Sequence, residues 1–173
     1  MKVFSADFLN KLTAQAQVNP RRRQHRNIHE SYAEPCQRLF NAIEPDSYIR
    51  PHRHAADPRD ELLIAVRGLM ALVEFDEQGK VIGVMRFGVQ QNGEELAVGA
   101  EVSASTWHTV VALAPGCVLL EVKAGPFDPD QPKDLATWAP NEGSSTADEY
   151  LCKLIKIVSC NRPHLDRTIE VSG

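Results

Sequence analysis

Pro51-His-Arg-His54, followed by Glu61-Leu-Leu-Ile-Ala-Val66, then Gly68 and, much later, Trp107-His-Thr-Val-Val-Ala-Leu113, decides how this chain is read. Successive side chains of a β-strand point to opposite faces, so His52 and His54 share a face and can aim two imidazoles at one point while Arg53 faces away. Glu61 opens an apolar run that Gly68 ends, the pattern of a neighbouring strand, which brings in a carboxylate as a third ligand. His108, near the start of a later apolar run, supplies a fourth. A single histidine in an apolar strand is more often a hydrogen-bonded core residue than a ligand. The combination of two same-face histidines, an acid at the start of the next strand and a distant histidine points to a metal site. An unpaired glutamate inside a β-structure carries a penalty of several kcal/mol, and a divalent cation offsets it.

Outward from that stretch, 173 residues suffice for one domain with extensions and a substantial core. The apolar fraction of 43% and charged fraction of 24% are ordinary for a globular protein. No apolar run approaches the length that crosses a bilayer, so no membrane span is expected. Met1-Lys-Val-Phe-Ser-Ala-Asp-Phe8 lacks the pattern of a secretory signal, so a cytoplasmic location is expected. The net charge of −4 offers no general attraction to nucleic acid. Arg21-Arg-Arg23, His25 and Arg26 form a local basic cluster, readable as a solvated loop or as a seat for a phosphate or carboxylate. Cys36, Cys117, Cys152 and Cys160 show no C-x-x-C spacing and read as free thiols, with a Cys152–Cys160 bond as the alternative.

Ser5 as N-cap, Asp7 in the first turn and the stripe Phe8, Leu9, Leu12, Ala16 predict a helix to about Val18, stopped by Asn19-Pro20. Short runs punctuated by Pro, Gly, Asp and Asn then predict an all-β unit. Its strands are Gln37–Ile43, Ser47–His54, Glu61–Val66, Leu69–Phe75, Val81–Phe87, Trp107–Leu113 and Val118–Lys123, with a hairpin loop at Asp76-Glu-Gln-Gly79. Thr146-Ala-Asp-Glu149 is a capping-box signature ahead of a helix carrying Tyr150, Leu151, Leu154 and Ile155. The expected divisions are 1–26 (helix and basic linker), 27–127 (barrel) and 128–173 (arm and helix). Residues 161–173 show no period.

Strand alternation places Tyr48 and Arg50 on the face of His52 and His54, and Glu121 and Lys123 on one face of a later strand. If those faces are interior, the pocket is polar and charged and suits a hydroxylated or anionic small molecule; the alternative for Arg50 and Lys123 is a solvated position. Asn27 and His29 form another same-face polar pair, readable equally as part of a solvated edge strand.

His52-x-His54, Glu61, Gly68 and His108 resemble the two motifs of the cupin superfamily, a double-stranded β-helix (jelly-roll) barrel with one metal centre. Asn27-Ile-His29, Gln37-Arg38, Ser47-Tyr-Ile-Arg-Pro-His-Arg-His54, Phe75-Asp76, Trp107-His108-Thr109, Glu121-Val-Lys-Ala-Gly-Pro126 and Trp138-Ala-Pro140 are similar, more narrowly, to the WbuC family of cupin-fold metalloproteins. Those are encoded in bacterial O-antigen and related polysaccharide gene clusters. The resemblance runs from the first helix to about Tyr150. Six residues separate His54 from Glu61, where the general cupin pattern has three or four. Asp46 replaces a usual glycine, and Ser103-Ala-Ser105 a usual Pro-x-Gly turn.

The resemblance implies a mainly β fold with helices at both ends and a metal held by His52, His54, Glu61 and His108. Such a mixed N/O set suits one divalent transition metal (Fe, Mn, Ni, Co or Zn) and leaves two positions open in octahedral geometry. The expected functional residues are Tyr48 and Glu121 for proton transfer and Asn27, His29, Arg38, Arg50 and Lys123 for substrate. Three activities follow as expectations: isomerisation or epimerisation of a sugar or sugar nucleotide with the metal as Lewis acid, Fe(II)-dependent oxygenation, or binding of a sugar or metabolite without turnover. Cupins often pair, so a homodimer is also expected.

Overall fold

The structure, a computed structural model, describes residues 1–55, 58–89, 96–130 and 133–160. The predicted lack of period at 161–173 lies outside them. Helix α1 (Ala6–Val18) begins where expected, with the Ser5 hydroxyl accepting the Phe8 N–H at 3.2 Å. Ten strands follow: β1 (Arg23–Asn27), β2 (Cys36–Ile43), β3 (His52–Arg53), β4 (Glu61–Arg67), β5 (Leu69–Phe75), β6 (Val81–Gly88), β7 (Gly99–Val102), β8 (Trp107–Ala112), β9 (Cys117–Ala124) and β10 (Asp134–Leu135). Helix α2 (Ala147–Cys160) closes the described chain. The molecule is therefore mainly β with a helix near each end, as expected. No helix among the described residues is long and apolar enough to cross a membrane.

Two five-stranded antiparallel sheets form, ordered β1-β2-β9-β4-β7 and β10-β3-β8-β5-β6. Alternation explains how they stack. Phe40, Ala42 and Val118 turn outward and pack under Leu12 and Ala16 of α1. Ala71, Val73, Phe75 and Val111 turn outward on the other sheet and pack under Leu151, Leu154 and Val158 of α2. The residues between them in sequence turn inward, so Ile43, Leu63, Met70, Leu72, Phe87, Val110 and Leu119 fill the space between the sheets. Each buried aliphatic side chain of α2 contributes roughly 1.5–3 kcal/mol relative to exposure. Gly68, between β4 and β5, takes φ +80° with its position closed to a Cβ by Cys117 Sγ at 2.5 Å, so only glycine turns the chain there from one sheet to the other.

Four strands differ from expectation for identifiable reasons. Ser47–His54 shrinks to the two residues of β3, because residues 47–51 spend their polar groups elsewhere: the Thr109 hydroxyl donates to Ile49 O at 2.7 Å, and Pro51 has no N–H to give. β1 reads as a polar linker in sequence, yet Arg23–Asn27 pairs along β2 from Ile43 to Leu39 as the sheet edge, where neither face needs apolar residues. β7 and β10 are too short to show a period. The hairpin at Asp76–Gly79 forms as predicted, with Asp76 Oδ1 accepting the N–H groups of Gln78 and Lys80. Before α2, Thr146 Oγ1 meets Ser144 Oγ and Glu149 pairs with Lys153, so the capping-box residues flank the helix start without the reciprocal bonds. All four cysteines are free thiols.

The segment between β10 and α2 is fastened to the sheets by charge. Arg21 and Arg23 both donate to the Glu142 carboxylate, at 2.7 Å and 2.6 Å for their closest contacts, and Arg23 is largely buried while doing so. Burial raises the Glu142 pKa, but the two guanidiniums more than offset it and hold the carboxyl below its usual 4.5. A carboxylate with a depressed folded-state pKa adds stability above its unfolded pKa and loses it as pH falls through the folded one. Glu142→Gln is expected to destabilise the protein by about 1–2 kcal/mol at pH 7, between the values for exposed and buried pairs. Denaturant melts of variant and wild type should converge as pH drops below 4.5; a pH-independent gap would contradict the ion-pair account.

Candidate metal centre and its cavity

His52 and His108 are direct cross-strand partners on β3 and β8, so their imidazoles stand side by side, ring centroids 4.6 Å apart. His54 follows β3 by one residue, and its N–H is held by Ala104 O at 2.7 Å, which keeps the side chain pointing inward. Glu61 comes from the opposite sheet, at the first position of β4, where it pairs with Lys123 of β9. The four side chains thus reach one point from both layers. Ligand atoms of His52, His54, Glu61 and His108 all lie within 4.8 Å of one another, and all four residues are buried. His54 Nε2 is 3.0 Å and His108 Nε2 3.4 Å from the two Glu61 oxygens.

The donor chemistry fits a metal ion. His52 Nδ1 is 3.1 Å from Arg50 O, and His108 Nδ1 is 2.9 Å from Thr106 O. A carbonyl only accepts, so each Nδ1 carries the proton and each Nε2 presents a lone pair, the arrangement that orients metal-ligating histidines. His54 Nε2, although near Glu61, is buried without a well-formed hydrogen bond, a cost that coordination would remove. Burial, with positive charge from Lys133 and the neighbouring His108, drives the His52 pKa well below normal and keeps the ring neutral. For Glu61 burial acts upward, but the adjacent His108 and His54 imidazoles and the charge of Lys123 prevail and hold the carboxyl well below its usual range. Three imidazoles and one carboxylate suit a borderline divalent transition metal.

The cluster opens into a cavity of about 460 Å³ between the sheets. Of the residues expected to bind substrate, Asn27, His29 and Lys123 line it, as does the expected proton carrier Glu121. Lys123 Nζ donates to Glu61 Oε1 at 3.0 Å. Burial, then the nearby charge of Glu61, pushes the Glu121 carboxyl up to about 8, so it holds a proton near neutrality. The other three lie outside the lining. Tyr48 is buried against Tyr150 with its hydroxyl donating to Pro140 O at 3.0 Å. Arg50 donates to Ala136 O at 2.6 Å, and Arg38 pairs with Glu34 at 2.6 Å. Same-face alternation misplaced Tyr48 and Arg50 because the backbone ahead of His52 is not a strand; both side chains secure the C-terminal segment.

The sequence reading missed Asn41, Tyr32, Phe127 and Lys133, which also line the cavity. Asn41 was within reach: it shares with Gln37, Leu39 and Ile43 the inward face of β2. Lys133 lies in an aperiodic arm that carries no such signal.

Comparison with known proteins accords with the fold. The family model described as a domain of unknown function (DUF6016) matches residues 4–87. No curated protein matches. Among solved structures, protein SO0799 from Shewanella oneidensis superposes with a TM-score of 0.52 at 12% identity, covering 81% of this chain and 87% of that one. KdgF from a Halomonas species gives 0.47 at 18% identity, covering 65% of this chain and 86% of its own. The capsular polysaccharide assembling protein CapF from Staphylococcus aureus gives 0.47 at 15% identity, covering 64% of this chain, which spans only 29% of CapF. The chain shares its fold with protein SO0799, and its interior carries a His/Glu cluster able to hold a metal ion.

Two variants test the centre. Glu61→Gln removes a ligand charge and is expected to weaken metal binding by more than the roughly 10–100-fold typical of losing an outer-shell partner; Lys123→Met, which removes such a partner, should fall within that range. Metal competition titrations read both, and wild-type affinity in Glu61→Gln would remove the carboxylate from the ligand set.

Proposed function

We propose that this protein is a metal-binding cupin that acts on a sugar or sugar nucleotide in bacterial surface polysaccharide (O-antigen) biosynthesis, by isomerisation or epimerisation. The observation that carries the reading is the union, in one cavity, of a four-residue metal cluster and a half-buried carboxyl, Glu121, whose pKa is raised by desolvation and by the charge of Glu61. The resemblance to the WbuC family supplies the pathway class.

When bound, the metal supplies Lewis-acid polarisation of a carbonyl or hydroxyl oxygen. The chain does the rest. Glu121, two residues before Lys123 on the inward face of β9, gives and takes the proton, while the Tyr48 hydroxyl is committed to Pro140. Lys123 fixes Glu61 and keeps it ionised. Ile49, Leu63, Val110 and Leu119 form the apolar floor that excludes water from the reacting end.

The test is turnover of a set of nucleotide sugars by protein loaded in turn with manganese, iron, nickel, cobalt and zinc. Interconversion of isomers is expected, and Glu121→Gln should lower kcat by about 10²–10⁴-fold, the usual worth of a positioned proton carrier, without loss of metal. Neither turnover nor binding of any sugar would contradict the proposal. Oxygen uptake with the iron-loaded protein would point instead to an oxygenase.

A further inference from the structure

His29 combines three properties that a merely structural histidine does not need. It is only 7% exposed, it lines the cavity, and its Nε2 is buried without a partner. Its tautomer follows from the backbone around it. His29 Nδ1 lies 2.9 Å from Arg38 O and 3.0 Å from Arg38 N; the carbonyl already accepts the Ile28 N–H at 2.8 Å, whereas the Arg38 N–H is paired only if Nδ1 accepts it. Nδ1 therefore bears the lone pair and Nε2 bears the hydrogen. A buried N–H facing a cavity without an acceptor costs about 1–3 kcal/mol, and a ligand oxygen removes that cost.

The surroundings specify the ligand further. His29 meets Tyr32, Tyr32 meets Phe127, and Phe127 lies under Lys123 Nζ, with separations of 5.9, 5.1 and 5.6 Å. Aromatic rings thus line the wall beside the donor. Asn41 Oδ1, across the lining, is a second buried polar atom without a partner. Charge completes the description: with a divalent ion on the cluster, the ion, Lys123 and Lys133 outweigh Glu61 and Glu121 even when both carboxyls are ionised, and Arg21 and Arg23 outweigh Glu142 at the rim.

We propose that the cavity's ligand is a hydroxylated small molecule bearing a carboxylate or phosphate, one oxygen of which accepts the Nε2–H of His29. The inference deepens the metal-cupin reading and rests on it for the charge balance. Donor and acceptor, His29 and Asn41, suit hydroxyl-rich ligands; excess cationic charge selects the anionic ones.

The test is calorimetric titration of zinc-loaded protein with D-glucuronate, D-glucose 6-phosphate and D-glucose. One charged sugar is expected to bind at least tenfold more tightly than glucose, and which one does so separates carboxylate from phosphate. In His29→Asn the amide oxygen can keep the Arg38 N–H while the cavity donor is gone, so binding of that sugar should weaken about tenfold with zinc affinity unchanged. His29→Gln, whose amide reaches the Nε2 position, should recover part of the loss. Charged sugars binding no better than glucose, or His29→Asn binding like wild type, overturns the proposal and leaves the metal centre intact. Failure of zinc to bind at all counts against the metal reading instead, and the same titrations on zinc-free protein then decide whether His29 holds an anionic sugar.

Discussion

The interaction on which the rest depends is the buried contact between the Glu61 carboxylate and three imidazoles from the facing sheet. A carboxylate that is 4% exposed between two sheets is costly unless its charge is met, and the chain meets it twice, with Lys123 beside it and with the three-histidine face opposite. Both layers contribute to the meeting point, so the geometry of the cluster reports the packing of the whole sandwich. The outer helices matter for the same reason. By covering the outward faces of the sheets, α1 and α2 let the inward faces afford polar groups at one end while Phe87, Met70 and Leu72 keep the other end dry.

The interior is accordingly graded. Apolar side chains fill the space around the β4–β5 turn, and ionisable ones gather around His52 and Lys123. Nothing in that gradient requires long-range design beyond strand alternation: Leu119, Glu121 and Lys123 share a face, as do Glu61 and Leu63, so each strand passes from apolar core to polar site along its own length. The backbone then sets chemistry at atomic detail, because carbonyls of Arg50 and Thr106 choose the tautomers of His52 and His108, and the N–H of Arg38 chooses that of His29.

Alternation and apolar runs made β2, β4, β5, β6, β8 and β9 legible from sequence, and with them Glu61, His108, Glu121 and Lys123. His52 and His54 were legible for a reason that survived the loss of their strand: two residues apart in nearly extended backbone, they still face one way. Tyr48 and Arg50 were not, because the extended stretch breaks before them and their polar groups go to Pro140 and Ala136. The polar edge strand β1 was invisible because its register comes from pairing with β2 rather than from any pattern of its own. The basic cluster beginning at Arg21 read as a solvated loop or a seat for an anion; its partner, Glu142, lies 121 residues away in a segment without period, which no local rule can reach.

The central claim, that four distant side chains form one cation site, is tested most directly by elemental analysis of protein purified without added metal, joined to X-ray absorption at the edge of the metal found. The account predicts one divalent transition metal per chain in a first shell of nitrogen and oxygen with imidazole scattering. Metal well below one per chain after incubation with each of manganese, iron, nickel, cobalt and zinc, or sulfur in the first shell, would contradict it.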